Sequence, residues 1–137
     1  DAGLVQWDSP FAGFMRTVLW SYMGRKDFLD APRLDTFSVA RHVTPAFPPA
    51  FISAGNADPL EPHSHAMAEA LQKQGVRVDA LFFPKDHAPP LPHEYQFNLD
   101  SEAGRQAMER SVAFLHGLRE GGAVPSATVE RSDGQGQ

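Results

Sequence analysis

The sequence contains no cysteine, which excludes disulfides, thiolate metal sites and a cysteine nucleophile and leaves the compartment open, since such a chain suits either side of a membrane. No run approaches the roughly 18 consecutive apolar residues that a spanning helix requires. The first residues lack the charged start and apolar core of a signal peptide, so the chain reads as soluble, with the cytoplasm favoured and no membrane span. Positive charge is the scarcer sign: 12 Lys and Arg stand against 17 Asp and Glu, for a net charge of -5. Without a cluster of Lys or Arg, nucleic acid and anionic membrane are poor partners, and a small molecule remains. The oligomeric state is not legible. Asp1 rather than Met at the start is what a processed or truncated chain would show.

What the chain does have is enough apolar content, 42%, for one core. The expected domain covers residues 1–119; residues 120–137, rich in Gly, Ser, Gln and charge, bury too little to offset ordering and are expected to be a disordered tail. Ser9 followed by Pro10 predicts a capped helix from Phe11. Phe11, Phe14, Met15, Val18, Leu19 and Tyr22 recur at helical spacing, and Trp20 and Met23 widen the stripe, so this helix needs a cover. Residues 24–44 read as a loop with at most a short helical turn. A last helix is expected after Asp100 as its cap, with Glu102 in its first turn, Met108, Val112 and Leu115 as its buried seam, Ala107, Phe114 and Leu118 widening that face, and Gly121 and Gly122 at its end.

Between Phe47 and Phe97 lies the stretch that carries chemistry. Pro48 and Pro49 lead into the unbroken run Ala50 to Ala54, which ends at Gly55 and reads as a strand buried on both faces. Met67, Ala70, Leu71 and Gln74 share one face of a helix from Glu61 to Gln74, and Gly75 supplies its left-handed close. Val76 to Phe83 then returns as a second strand. This is a βαβ unit, so the fold class is α/β: the crossover forces the strands parallel and brings both carboxyl ends to one edge. Asp58 follows the first strand; His87 and His93 follow the second. A carboxylate and an imidazole at neighbouring strand ends are what proton abstraction needs, because the acid can hold one tautomer and stabilise the imidazolium. His63 and His65, two apart on a helix, point about 200° away from each other, so a shared metal ion is not expected. His42 and His116 have no partner pattern and read as surface residues.

The segment from Pro48 to Leu60, PPAFISAGNADPL, resembles the acid-bearing stretch of α/β-hydrolases of the hormone-sensitive-lipase-like esterase group. There, two prolines lead a buried strand into a Gly, two variable residues and Asp-Pro-Leu. Trp20, Tyr22 and Gly24 resemble that family's connecting segment, and Gly75 before a strand ending in Phe82, Phe83 and Pro84 resembles the approach to its histidine. The likeness covers roughly residues 17–118. It implies the order serine, acid, histidine, with Asp58 as acid and His93 or His87 as histidine. His93, in PHEYQF, is similar to the family's ending of His, any residue and Phe; His87 stands nearer to the strand, before Ala88, Pro89 and Pro90, and the prolines between the two look like an insertion.

Neither Gly-x-Ser-x-Gly nor an HGGG-type stretch occurs in the sequence. Ser9, Ser21, Ser38 and Ser53 precede Asp58, yet none stands on a strand-turn-helix elbow. The resemblance therefore implies the carboxyl-terminal portion of a serine carboxylic-ester hydrolase, an esterase or lipase, inactive by itself and completed by a serine from upstream sequence. It implies no cofactor, and as substrate a small-molecule ester with an apolar part. The alternative is a non-catalytic hydrolase remnant, an interaction or structural module that presents open sheet edges and an uncovered face to a partner.

Overall fold

The computed structural model describes residues 1–32 and 34–121. Its regular elements are α1 (Ala12–Met23), β1 (Ala50–Ala54), α2 (Glu61–Lys73), β2 (Val78–Phe82) and α3 (Glu102–Gly121). The described fold mixes helix with a two-stranded parallel sheet, as an α/β chain does. The register runs from Ala50 opposite Val78 to Ala54 opposite Phe82.

The sheet is a middle layer, because alternate side chains on a strand point to opposite faces. Ala50, Ile52 and Val78 pack with Leu71, Met67 and Ala70 of α2 and with Val43 and Val76. Phe51 and Leu81 face the other way, onto Ala103 and Ala107 of α3 and onto Leu91 and Tyr95 from the loop between β2 and α3. Arg110 fixes α3 to β2 through Asp79 Oδ1, with Nε at 3.0 Å, and through the Ala80 carbonyl at 3.1 Å. Both strands are shallower than their apolar runs predict, since only Ala54 of β1 and Leu81 of β2 are fully buried. The second strand is also shorter than Val76 to Phe83.

The helices depart from expectation at their caps and faces. Ser9 does not cap α1: its hydroxyl donates to the Gln6 carbonyl at 2.7 Å, and Phe11 occupies the cap position without a side-chain hydrogen bond. Gly24, at φ 69°, closes α1 in the left-handed region that its missing Cβ permits. The α1 stripe stays largely open, with Ala12 buried and Phe14, Trp20 and Tyr22 exposed. In α3 the cap is Ser101 rather than Asp100, its hydroxyl accepting the Gly104 N–H at 3.0 Å. Of the predicted face Ala107 and Phe114 are buried, together with Ala103, whereas the seam of Met108, Val112 and Leu115 is exposed. Ala103 and Ala107 let the helix approach Phe51 and Leu81, and Phe114 meets the Phe51 ring at 6.3 Å. The segment read as loop folds into three short 3-10 turns, Phe28–Asp30, Leu34–Phe37 and Val39–His42. The helix reaches Gly121, past the expected boundary at 119; the predicted tail from 122 onward lies outside the described residues.

Gly55, where β1 ends, sits against the Leu91 and Pro92 backbone so closely that a Cβ would overlap the Leu91 carbonyl. The approach is used: the Ala57 N–H donates to that carbonyl at 3.0 Å. Gly55→Ala is expected to cost about 1–3 kcal/mol through overpacking, read as a lower denaturant midpoint with unchanged slope, and to displace the loop that carries His93. A midpoint equal to that of the parent chain would show that the loop yields without cost.

Candidate functional site

The residues after β1 turn back on themselves before α2 begins. The Asp58 N–H donates to the Gly55 carbonyl at 3.1 Å, and the Asp58 carbonyl accepts the Glu61 N–H at 3.0 Å. One carboxylate oxygen, Oδ1, accepts the Leu60 N–H at 2.7 Å, an Asp side chain closing its own turn. The other, Oδ2, lies 2.9 Å from His93 Nδ1. The Asp58 side chain is 8% exposed and that of His93 54%. The acid is thus fixed and shielded while the imidazole stands at the rim.

A carboxylate can only accept, so Nδ1–H is the donor and the lone pair of the neutral ring falls on Nε2. That nitrogen forms no hydrogen bond among the described residues. His93 lines a cleft of about 400 Å³ whose walls include Met15, Ser53, Leu60, His63 and Ser64. Glu94, next to His93, takes φ 62°, a left-handed conformation that is uncommon for a residue with a side chain and carries strain. It turns the chain immediately after the imidazole.

His87 is elsewhere. Its Nδ1 lies 3.1 Å from the Pro89 carbonyl oxygen, inside its own loop, and its ring meets Phe83 edge-on at 4.8 Å. His65 stacks on Phe82 at 3.9 Å and approaches the buried Glu61, which also accepts Lys85. His42 Nε2 is 3.1 Å from the Asp35 carbonyl oxygen. The hydroxyls of Ser53 and Ser64 share the cleft without bonding to His93, and Ser53 is engaged by the Tyr95 hydroxyl. Burial pushes the Tyr95 hydroxyl pKa up, against the opposing pull of that bond.

His63 is the cleft residue that the sequence reading weighed only as a metal ligand and set aside. Its Nδ1 lies 3.2 Å from the Asp1 backbone nitrogen, and its Nε2 is buried without a hydrogen-bond partner among the described residues. Burial foremost holds its pKa below the ordinary 6.5. No pattern in the sequence marks it, because its setting depends on residues 1–15 folding over α2.

No protein-family model, curated protein or solved structure matches this chain.

A histidine whose pKa is lowered by folding binds its proton more readily in the unfolded chain, so the linked stability is lost as pH falls through the ordinary value. Between about pH 7.5 and about pH 5.5, denaturant midpoints should fall more steeply for the parent chain than for His63→Gln, which cannot titrate. Equal slopes would remove His63 from the pH dependence.

Proposed function

We propose that these residues are the carboxyl-terminal portion of a serine carboxylic-ester hydrolase of α/β-hydrolase fold, supplying the acid and the histidine of its triad. The observation that carries this reading is the Asp58 to His93 contact of 2.9 Å. Asp58 engages the Leu60 N–H with one oxygen and Nδ1 with the other, which leaves the free lone pair on Nε2 of a histidine that lines a cleft.

In this reading a serine hydroxyl supplied outside these residues loses its proton to His93 Nε2 as its oxygen attacks the ester carbonyl carbon. Asp58 stabilises the imidazolium that results. The same proton passes to the departing alcohol when the C–O bond breaks, and water then repeats the sequence to release the acid. A neighbouring cleft of about 280 Å³, lined by Val5, Phe11, Met15, Pro59 and Leu60, shares Met15, Leu60 and His63 with the histidine cleft. Its size and lining suit a short apolar arm of the ester.

Two further features support a larger enclosing fold. Among the described residues β1 and β2 pair only with each other, so each keeps one unpaired edge. Next to β1 a cleft of about 350 Å³ is walled by Phe51, Phe97 and Met108, apolar groups that additional strands and helices would cover. The same open surfaces are what the alternative, a non-catalytic interaction module, would present.

The test uses a polypeptide in which these residues follow a Gly-x-Ser-x-Gly segment in the same reading frame. It should hydrolyse short-chain p-nitrophenyl esters, and His93→Ala should lower kcat by roughly 10⁴-fold while His87→Ala stays within about tenfold of the parent. The 137-residue chain alone should not be labelled by a fluorophosphonate. Labelling of that chain, or near-normal turnover by His93→Ala, would sink the proposal, and absence of any serine elbow in frame would favour the module.

A further inference from the structure

Between β2 and α3 the chain passes through Pro84, Pro89, Pro90 and Pro92 before it reaches His93. Prolines donate no N–H, so this loop cannot stitch itself into a ladder. Within Pro89-Pro90-Leu91-Pro92 the one backbone donor is Leu91. It donates to Asn56 Oδ1 at 2.9 Å. The Asn56 amide nitrogen donates in turn to the carbonyls of Lys85 at 3.2 Å and His87 at 3.1 Å.

The orientation of the amide follows from its partners. Leu91 N–H can only donate and therefore faces the oxygen; the two carbonyls can only accept and therefore face the nitrogen. One side chain thus satisfies three backbone groups spread over residues 85–91. Asparagine is the side chain that does this: aspartate has no donor for the carbonyls, a serine hydroxyl has one, and glutamine carries its amide one methylene further out.

Asn56 also sits two residues before Asp58, and the Ala57 N–H between them holds the Leu91 carbonyl at 3.0 Å. The acid and the clamp are therefore parts of one backbone turn, while His93 follows two residues after the clamped Leu91. We propose that Asn56 is a positioning residue that sets the separation of His93 from Asp58 by fixing the proline loop. This rests on the reading of Asp58 and His93 as the functional pair, although the measurement below needs neither serine nor substrate.

The experiment reads the tautomer of the His93 ring by ¹⁵N NMR in the 137-residue chain, at a pH where the ring is neutral. The parent should hold Nδ1–H, the form that Asp58 selects. Asn56→Ala should lower the ratio of Nδ1–H to Nε2–H by about fivefold or more, the change that one lost hydrogen bond produces. In an Asp58→Ala background the same substitution should change nothing further, since no pair is left to position. An unchanged tautomer in Asn56→Ala overturns the proposal, as does an equal shift in both backgrounds, which would mean that Asn56 acts on His93 independently of Asp58. If amide protection of β1 and β2 shows that Asn56→Ala unfolds, Asn56→Gln keeps the amide, shifts it by a methylene, and is judged by the same two outcomes. Loss of the tautomer preference alongside an inactive longer polypeptide would leave the positioning intact and retire the hydrolase reading alone.

Discussion

Parallel pairing of β1 with β2 is the constraint from which the rest follows. The register from Ala50 opposite Val78 to Ala54 opposite Phe82 puts the exits of both strands side by side. Parallel strands need a crossover between them, and α2 provides it on the face where Ile52 and Val78 meet Leu71. The opposite face is then left for α3 and for the loop residues Leu91 and Tyr95. Because that loop is drawn under α3 by its own apolar side chains, its polar backbone is left to run past the end of β1. Packing on one side of the sheet delivers chemistry to its edge.

What the sequence made legible was this skeleton and the place of Asp58 just past the end of β1. Periodicity separates Ala50 to Ala54 from the helix after it, and Gly75, at φ 73°, closes that helix as a glycine there should. Less legible were choices that depend on tertiary contact. The pattern of α3 puts Ala107 and Phe114 on one wide apolar face with Met108, Val112 and Leu115; which side of it is buried depends on how closely Ala103 and Ala107 let the helix approach Phe51 and Leu81. The cap of that helix moved from Asp100 to Ser101 for a similar reason, since both are good caps and the turn Asn98 to Ser101 decides between them.

The two histidine candidates show the same division. Distance along the chain from Pro84 favours His87, and local wording favours His93; neither says where a loop with several prolines will turn. The geometry depends on bonds made across the loop, by Asn56 and by the buried Glu61, which accepts Lys85. Such bonds join residues about 30 positions apart, and a sequence read locally carries no trace of them. His63 was obscured in another way, its environment being built by the amino-terminal segment and not by α2 itself.

Residues 56–61 emerge as the organising turn. Asn56 holds the middle of the proline loop, Ala57 the Leu91 carbonyl, Asp58 the His93 ring and Glu61 the Lys85 ammonium where the loop begins. These anchors differ in how water treats them. The Lys85 ammonium is largely exposed, which limits what its ion pair contributes through screening. The backbone bonds of Asn56 and Ala57 are neutral and keep their strength at any ionic strength, since there is no net charge for salt to screen. Salt should therefore loosen the entry of the loop before it loosens the segment that presents His93. A loop tethered by charge at its distant end and by neutral amide bonds near the imidazole holds the segment that carries His93 with less dependence on ionic strength than its own entry. In the proposed reading, proton transfer to Nε2 requires that geometry, because an error of one ångström in a base can cost about a hundredfold in rate.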